Sequence, residues 1–84
     1  MSWRVRAAAP EDAERIAAIT RDSLGYEVSA EFTGRQLSLI LPRPTDRVYV
    51  VCREADGLVG GYLHAADYET VYNGSMKNIL ALAV

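Results

Sequence analysis

Ile79-Leu80-Ala81-Leu82-Ala83-Val84 is an unbroken apolar run at the C-terminal end of an 84-residue chain, without a charge, a glycine or a proline. A run of this kind reads as a strand buried on both faces, inside a sheet rather than at its rim. The expectation is therefore that the sheet continues past it, and that these residues are the front part of a larger fold.

Working outward from that strand, Asn73-Gly74 is a turn signal that separates it from a preceding strand over Leu58 to about Tyr68. Within that strand Gly60-Gly61 predicts a bulge or a close backbone approach. Ala55-Asp56-Gly57 predicts a hairpin turn, the glycine sitting where a positive φ is required. Val48-Tyr49-Val50-Val51-Cys52 is a further strand, apolar at every position, so that something is expected to cover each of its faces. Pro42-Arg43-Pro44 closes a helix, since proline cannot continue one and restricts the residue before it. That helix starts at Ser29, a capping residue, and carries Phe32, Leu37, Ile40 and Leu41 on its apolar face.

Nearer the N-terminus, Gly25 is the expected stop of an earlier helix. Its apolar stripe is Ala13, Ile16, Ala17, Thr20 and Leu24, and its start is Pro10-Glu11-Asp12, with proline at the first helical position and acids opposing the positive end of the helix dipole. Trp3 to Ala7 alternates apolar residues with arginine, the period of a half-buried strand. The order is strand, helix, helix, strand, strand, strand (β-α-α-β-β-β), an α+β fold in one domain with a mainly antiparallel mixed sheet.

An apolar fraction of 50% and a charged fraction of 24% describe an ordinary globular chain. The net charge of −2, with a single lysine, gives no electrostatic footprint for nucleic acid. Cys52 is the one cysteine, so an internal disulfide and a two-cysteine metal site are both excluded, and its apolar neighbours predict a small buried hydrophobe. Charges interleave the first residues and no segment reaches the length of a membrane span, so a reducing, cytoplasmic setting is expected.

Four stretches in this order resemble the N-terminal half of a GNAT-superfamily N-acetyltransferase. Trp3-Arg4-Val5-Arg6-Ala7-Ala8-Ala9-Pro10-Glu11-Asp12-Ala13 is similar to the family's opening R-x-A-x-P-x-D-A strand and helix start. Leu24-Gly25-Tyr26-Glu27-Val28-Ser29 resembles its LGY-x-V-S link. Asp56-Gly57-Leu58-Val59-Gly60-Gly61 resembles its DG-x-x-VG hairpin, and Ile79 to Val84 its I-x-x-L-x-V fourth strand. The resemblance implies transfer of an acetyl group from acetyl-coenzyme A to a small-molecule or peptide amine. It also implies that Leu82, Ala83 and Val84 line the coenzyme arm and the oxyanion. The family's R/Q-x-x-G-x-G/A phosphate loop does not occur in the 84 residues. This chain alone is thus expected to be inactive. The alternative is a non-catalytic interaction module that completes its sheet as a homodimer or with a partner chain.

Acetyl transfer needs a proton acceptor for the amine. By the resemblance, Asn78 stands where many relatives carry a glutamate base; an amide cannot take the proton, but it can orient water or satisfy local backbone. His64 is the residue type suited to a base near neutral pH, with a structural or surface histidine as the competing reading. Asp67, Tyr68, Glu69 and Tyr72 cluster where a cationic amine could be recognised, or where a solvated loop is simply polar. Tyr26 borders the acceptor pocket by resemblance, or is an aromatic anchor on the sheet.

Overall fold

The computed structural model describes the backbone of residues 2–71 and 74–83, and the side chains of residues 2–67 and 71. Its strands are β1 (Trp3–Ala7), β2 (Asp46–Arg53), β3 (Val59–Thr70) and β4 (Gly74–Ala83), in the spatial order β1-β2-β3-β4 with every neighbour antiparallel. Between β1 and β2 run α1 (Ala13–Ile19) and α2 (Ala30–Ile40). The strand, helix, helix, strand, strand, strand order read from the sequence is the order observed.

Both helices lie on one face of the sheet. Val48, Val50 and Cys52 of β2 alternate inward and form the core with Ile16, Ile19, Leu37, Val59 and Tyr62. Cys52 is accordingly a buried free thiol. The opposite face is open among the described residues: Trp3 and Val5 are 49% and 64% exposed, and Tyr49 is exposed beside them. The apolar character of β2 on both faces is therefore matched by a cover on only one.

The helix ends follow the local chemistry. Ser29 caps α2, its Oγ accepting the Phe32 N–H at 3.0 Å. Of the apolar residues assigned to that helix, Leu37 is buried and Ile40 and Leu41 pack against the core, but Phe32 is exposed at the rim. The first helix departs from a uniform α-helix. It opens as a 3₁₀ turn (Pro10–Asp12) and widens into a π-turn (Thr20–Leu24) before Gly25, whose φ of 78° ends it. Widening the turn rotates the stripe, so Leu24 is exposed instead of continuing the line through Ile16 and Thr20.

Asp12 fastens the start of this helix to β1. Its carboxylate accepts two hydrogen bonds from the Arg6 guanidinium, both 2.8 Å, and the Ala9 N–H at 2.8 Å. Asp12 is buried, and the Arg6 hydrogen bonds hold its carboxyl below the ordinary carboxylate range. From the other end, Arg15 of α1 donates to the Val59 carbonyl at 3.0 and 2.9 Å. The β2–β3 hairpin closes with Gly57 at φ 74° and with the Asp56 carboxylate accepting from Leu58 N–H and the Arg53 guanidinium. These contacts lower Asp56 to about 2, Arg53 being the larger cause.

Cys52 pairs with Val59 while Val51 pairs with Gly61, so Gly60 is the extra residue of a bulge. A Cβ at Gly60 would meet the Trp3 ring at 3.0 Å, the close approach expected of the Gly60-Gly61 pair.

Two outcomes follow from these contacts. Gly60→Ala should cost about 1 kcal/mol by overpacking and shift the fluorescence of Trp3, the single tryptophan; unchanged emission would show that the ring does not lie on Gly60. Asp12 has a folded pKa below its unfolded one, so its stabilisation is present above the ordinary carboxylate pKa of about 3.9 and is lost as pH falls through the lowered value. Urea unfolding should show stability level from pH 7 to about 5 and falling below about 4. Asp12→Asn should remove on the order of 2 kcal/mol at pH 7, discounted for the partial exposure of Arg6, and flatten part of the acid limb.

Candidate functional site

A cavity of about 180 Å³ lies between the helices and the sheet. Val48, Tyr62 and His64 form its floor, Ile16, Thr20, Leu37 and Ile40 its walls, and Val28, Phe32, Thr33 and Gln36 its rim. The floor is a consequence of antiparallel register. Val48 pairs with His64 and Val50 with Tyr62, so these four side chains share the helix-covered face.

Asp46 lies on the same face, diagonal to His64 across the β2–β3 pair. His64 Nε2 is 3.0 Å from Asp46 Oδ1, with the two side chains 18% and 7% exposed. Thr45 Oγ1 donates to the other carboxylate oxygen at 3.3 Å, and Arg43 Nη1 stands 3.9 Å away. The His64 contact, ahead of Thr45 and Arg43, keeps the Asp46 carboxyl below its ordinary range. Because an ionised carboxylate only accepts, Nε2 carries the hydrogen and Nδ1 of the neutral ring carries the lone pair. Beside it, the Tyr62 hydroxyl and Thr20 Oγ1 are 2.7 Å apart, and Thr20 also donates to the Ile16 carbonyl at 2.7 Å.

On its other side β3 meets β4. His64 pairs with Ala81 and Ala65 with Ile79, which leaves Leu80 as an extra residue in β4 beside the histidine. Leu82 and Ala83, two of the residues assigned to the coenzyme arm, stand opposite Leu63 and Tyr62; Asn78 stands opposite Ala66. The structure thus places the backbone of residues 81–83 opposite His64, Leu63 and Tyr62 in turn. Val84 and Tyr72 lie outside the described residues, and Tyr68 is described in its backbone alone, opposite Met76.

Two of the other expectations are not brought into this site. Tyr26 is 65% exposed and does not line the cavity; Val28, two residues on, does. An aromatic anchor packed on the sheet is excluded by that exposure. Asp67 sits further along β3, its N–H bonded to the Thr45 carbonyl at 2.8 Å, and it too is absent from the cavity wall.

Asp46, Tyr62 and Thr20 were not singled out from the sequence. The signal for Asp46 was available, since it begins the alternation Asp46, Val48, Val50, Cys52 and is the one acid in an inward-facing row. Tyr62 is likewise two residues from His64, and hence on its face. Among the described residues no group of three or more potential metal-ligating side chains occurs, and no helix is long and apolar enough to cross a membrane.

No family model and no curated protein matches this sequence. Solved structures do. A GNAT family acetyltransferase from Staphylococcus aureus superposes with a TM-score of 0.83 at 18% identity, over 100% of this chain and 63% of its own length. Glucosamine-6-phosphate N-acetyltransferase from Arabidopsis thaliana gives 0.75 at 15% identity, over 100% of this chain and 60% of that one. An aminoglycoside antibiotic 6′-N-acetyltransferase from Acinetobacter baumannii gives 0.76 at 6% identity, over 96% and 56%. The chain therefore spans about three fifths of the length of these structures.

The hydrogen placement can be checked directly. Nitrogen-15 NMR of His64 should show the Nε2–H tautomer for the neutral ring, and Asp46→Asn should mix the two tautomers; an Nδ1–H form in the parent chain would refute the assignment.

Proposed function

We propose, for a chain with the fold of the GNAT acetyltransferases over its whole length, that residues 1–84 form the acceptor side of an N-acetyltransferase site. The observation that carries this reading is the position of His64, on the cavity floor and directly across the sheet from Ala81, where β4 bulges. Acetyl-coenzyme A would supply the thioester whose carbonyl carbon takes the amine nitrogen and whose sulfur leaves. The free edge of β4, which pairs only with β3 among the described residues, suits an extended amide-bearing arm that adds as a strand. Nothing in the 84 residues provides the R/Q-x-x-G-x-G/A phosphate loop, so the donor grip comes from further sequence or from another chain.

In this reading the amine enters the cavity with its nitrogen toward the floor. His64 Nδ1 accepts the N–H proton as the new C–N bond forms, and the ring becomes an imidazolium. Asp46 is a positioning residue: it fixes the tautomer that leaves Nδ1 free, and its negative charge offsets the positive ring. The Tyr62–Thr20 hydroxyl pair offers an oxygen that can orient the amine. Asn78 remains an orienting amide at most.

Calorimetry should find millimolar or weaker binding of acetyl-coenzyme A to the 84-residue chain, a micromolar constant being incompatible with a donor grip located elsewhere. A chimaera joining residues 1–84 to the phosphate-loop half of a structural neighbour should release coenzyme A thiol when an amine is added. His64→Gln should lower its kcat by about 10²-fold with little change in KM. Failure of every amine to release thiol would defeat the acetyltransferase reading.

A second reading, an interaction module completed by another copy or a partner chain, is favoured by the open apolar face that bears Trp3, Val5 and Tyr49. Light scattering on the purified chain decides it. A dimer whose Tyr49→Glu variant is monomeric supports pairing through this face, whereas a stable monomer removes it.

A further inference from the structure

The cavity's wall chemistry restricts what it can hold, beyond the general amine acceptor of the reading above. Six of its lining residues carry wholly hydrocarbon side chains: Ile16, Val28, Phe32, Leu37, Ile40 and Val48. Its polar groups are neutral hydroxyls and one amide, together with His64 on the floor. Among the described residues no lysine or arginine lines it, so a phosphate or carboxylate entering would meet no counter-charge from them. No carboxylate lines it either among the described residues. Asp46 stands behind His64, already engaged by the ring and by Thr45, so every ammonium on a ligand would meet neutral groups alone, a cost that a monoamine incurs once and a polycation several times over. A volume of about 180 Å³ is also well below the roughly 300 Å³ at which pockets for drug-sized ligands begin.

We infer that this cavity binds a compact primary monoamine with an uncharged apolar body, an alkylamine or arylalkylamine, its nitrogen at the Tyr62–His64 floor and its body against Leu37, Ile40 and Phe32. The assignment rests on the acetyl-transfer reading only for its consequence, since the binding it describes needs no coenzyme. One nitrogen is what the floor can serve, because Tyr62 and His64 are the polar side chains on it, while Thr33 and Gln36 stand at the rim. The remaining atoms of the ligand gain from leaving water. Each methylene buried should tighten binding about fourfold.

The test is a methyl NMR titration of the 84-residue chain without acetyl-coenzyme A, using butylamine, hexylamine, 2-phenylethylamine, glucosamine 6-phosphate and kanamycin as probes. Hexylamine and 2-phenylethylamine should shift the Ile16, Leu37 and Val48 methyl signals, with hexylamine more than about tenfold tighter than butylamine. The phosphorylated sugar and the polycation should leave those signals in place. Val28→Trp and, separately, Thr33→Trp should weaken hexylamine at least tenfold by filling the rim; the ligand series on the parent chain stands even if either variant misfolds. Preference for glucosamine 6-phosphate or kanamycin at the same methyls, or no shift with any monoamine, overturns the inference. Its failure is separable from that of the acetyl-transfer reading. Hexylamine bound at these methyls with no thiol release from the chimaera upholds the pocket and ends the transferase reading, whereas acetylation of an amine that leaves these methyls unshifted does the reverse.

Discussion

Everything in this chain is organised by the covering of one sheet face and not the other. Two helices bury one side of the antiparallel sheet, and among the described residues β2 and β3 send alternate residues into that layer. In β2 that row is Asp46, Val48, Val50 and Cys52. An acid at the end of an apolar row is tolerable only when its carboxylate is hydrogen-bonded, because an unpaired charge there would cost more than the neighbouring burial returns. His64, Thr45 and Arg43 meet that demand. The same alternation that builds the core therefore also builds a carboxylate–imidazole pair at its margin, where the helices leave a cavity.

Two aspartates under the helices are treated in different ways. Asp12 is held by two guanidinium hydrogen bonds and a backbone N–H, and arginine never gives up its charge in this setting. That pair can only join β1 to the start of α1. Asp46 is held mainly by an imidazole, a ring with a second nitrogen to offer. Location separates them further: Asp12 fills a closed corner, while His64 reaches the cavity floor. The chemistry available at the two sites follows from the partner, not from the acid.

Much of the fold was legible because it depends on local signals. Pro10, Gly25, Ser29, Pro42 and Gly57 each impose a backbone condition that the structure respects, and the Gly60-Gly61 pair marked a bulge that the Trp3 ring explains. The candidate site was less legible, because it is assembled across strands. His64 could be noticed for its chemistry, but its partner lies 18 residues earlier and is set by β2–β3 register. Tyr62 and Thr20, 42 residues apart, meet because the end of the first helix packs over β3. Tyr26 fits the link motif, yet it is 65% exposed while Val28, two residues on, lines the cavity, a difference that the motif does not carry.

The terminal run Ile79 to Val84 shows why a correct strand assignment left its most useful detail hidden. A strand with alternating polarity reveals a bulge, because one extra residue inverts its pattern from that point on. In an all-apolar run there is no pattern to invert. Leu80 is the extra residue in β4, and only pairing shows it: His64 and Ala65 are adjacent in β3, while their partners Ala81 and Ile79 are not adjacent in β4. The bulge changes the direction and twist of β4 at the step that faces the histidine. Among the described residues β4 is the edge of the sheet, so the bend falls in the strand whose outer N–H and C=O groups no other strand takes up. The uniform apolar sequence permits this, since a shift of register in such a run exchanges one apolar residue for another.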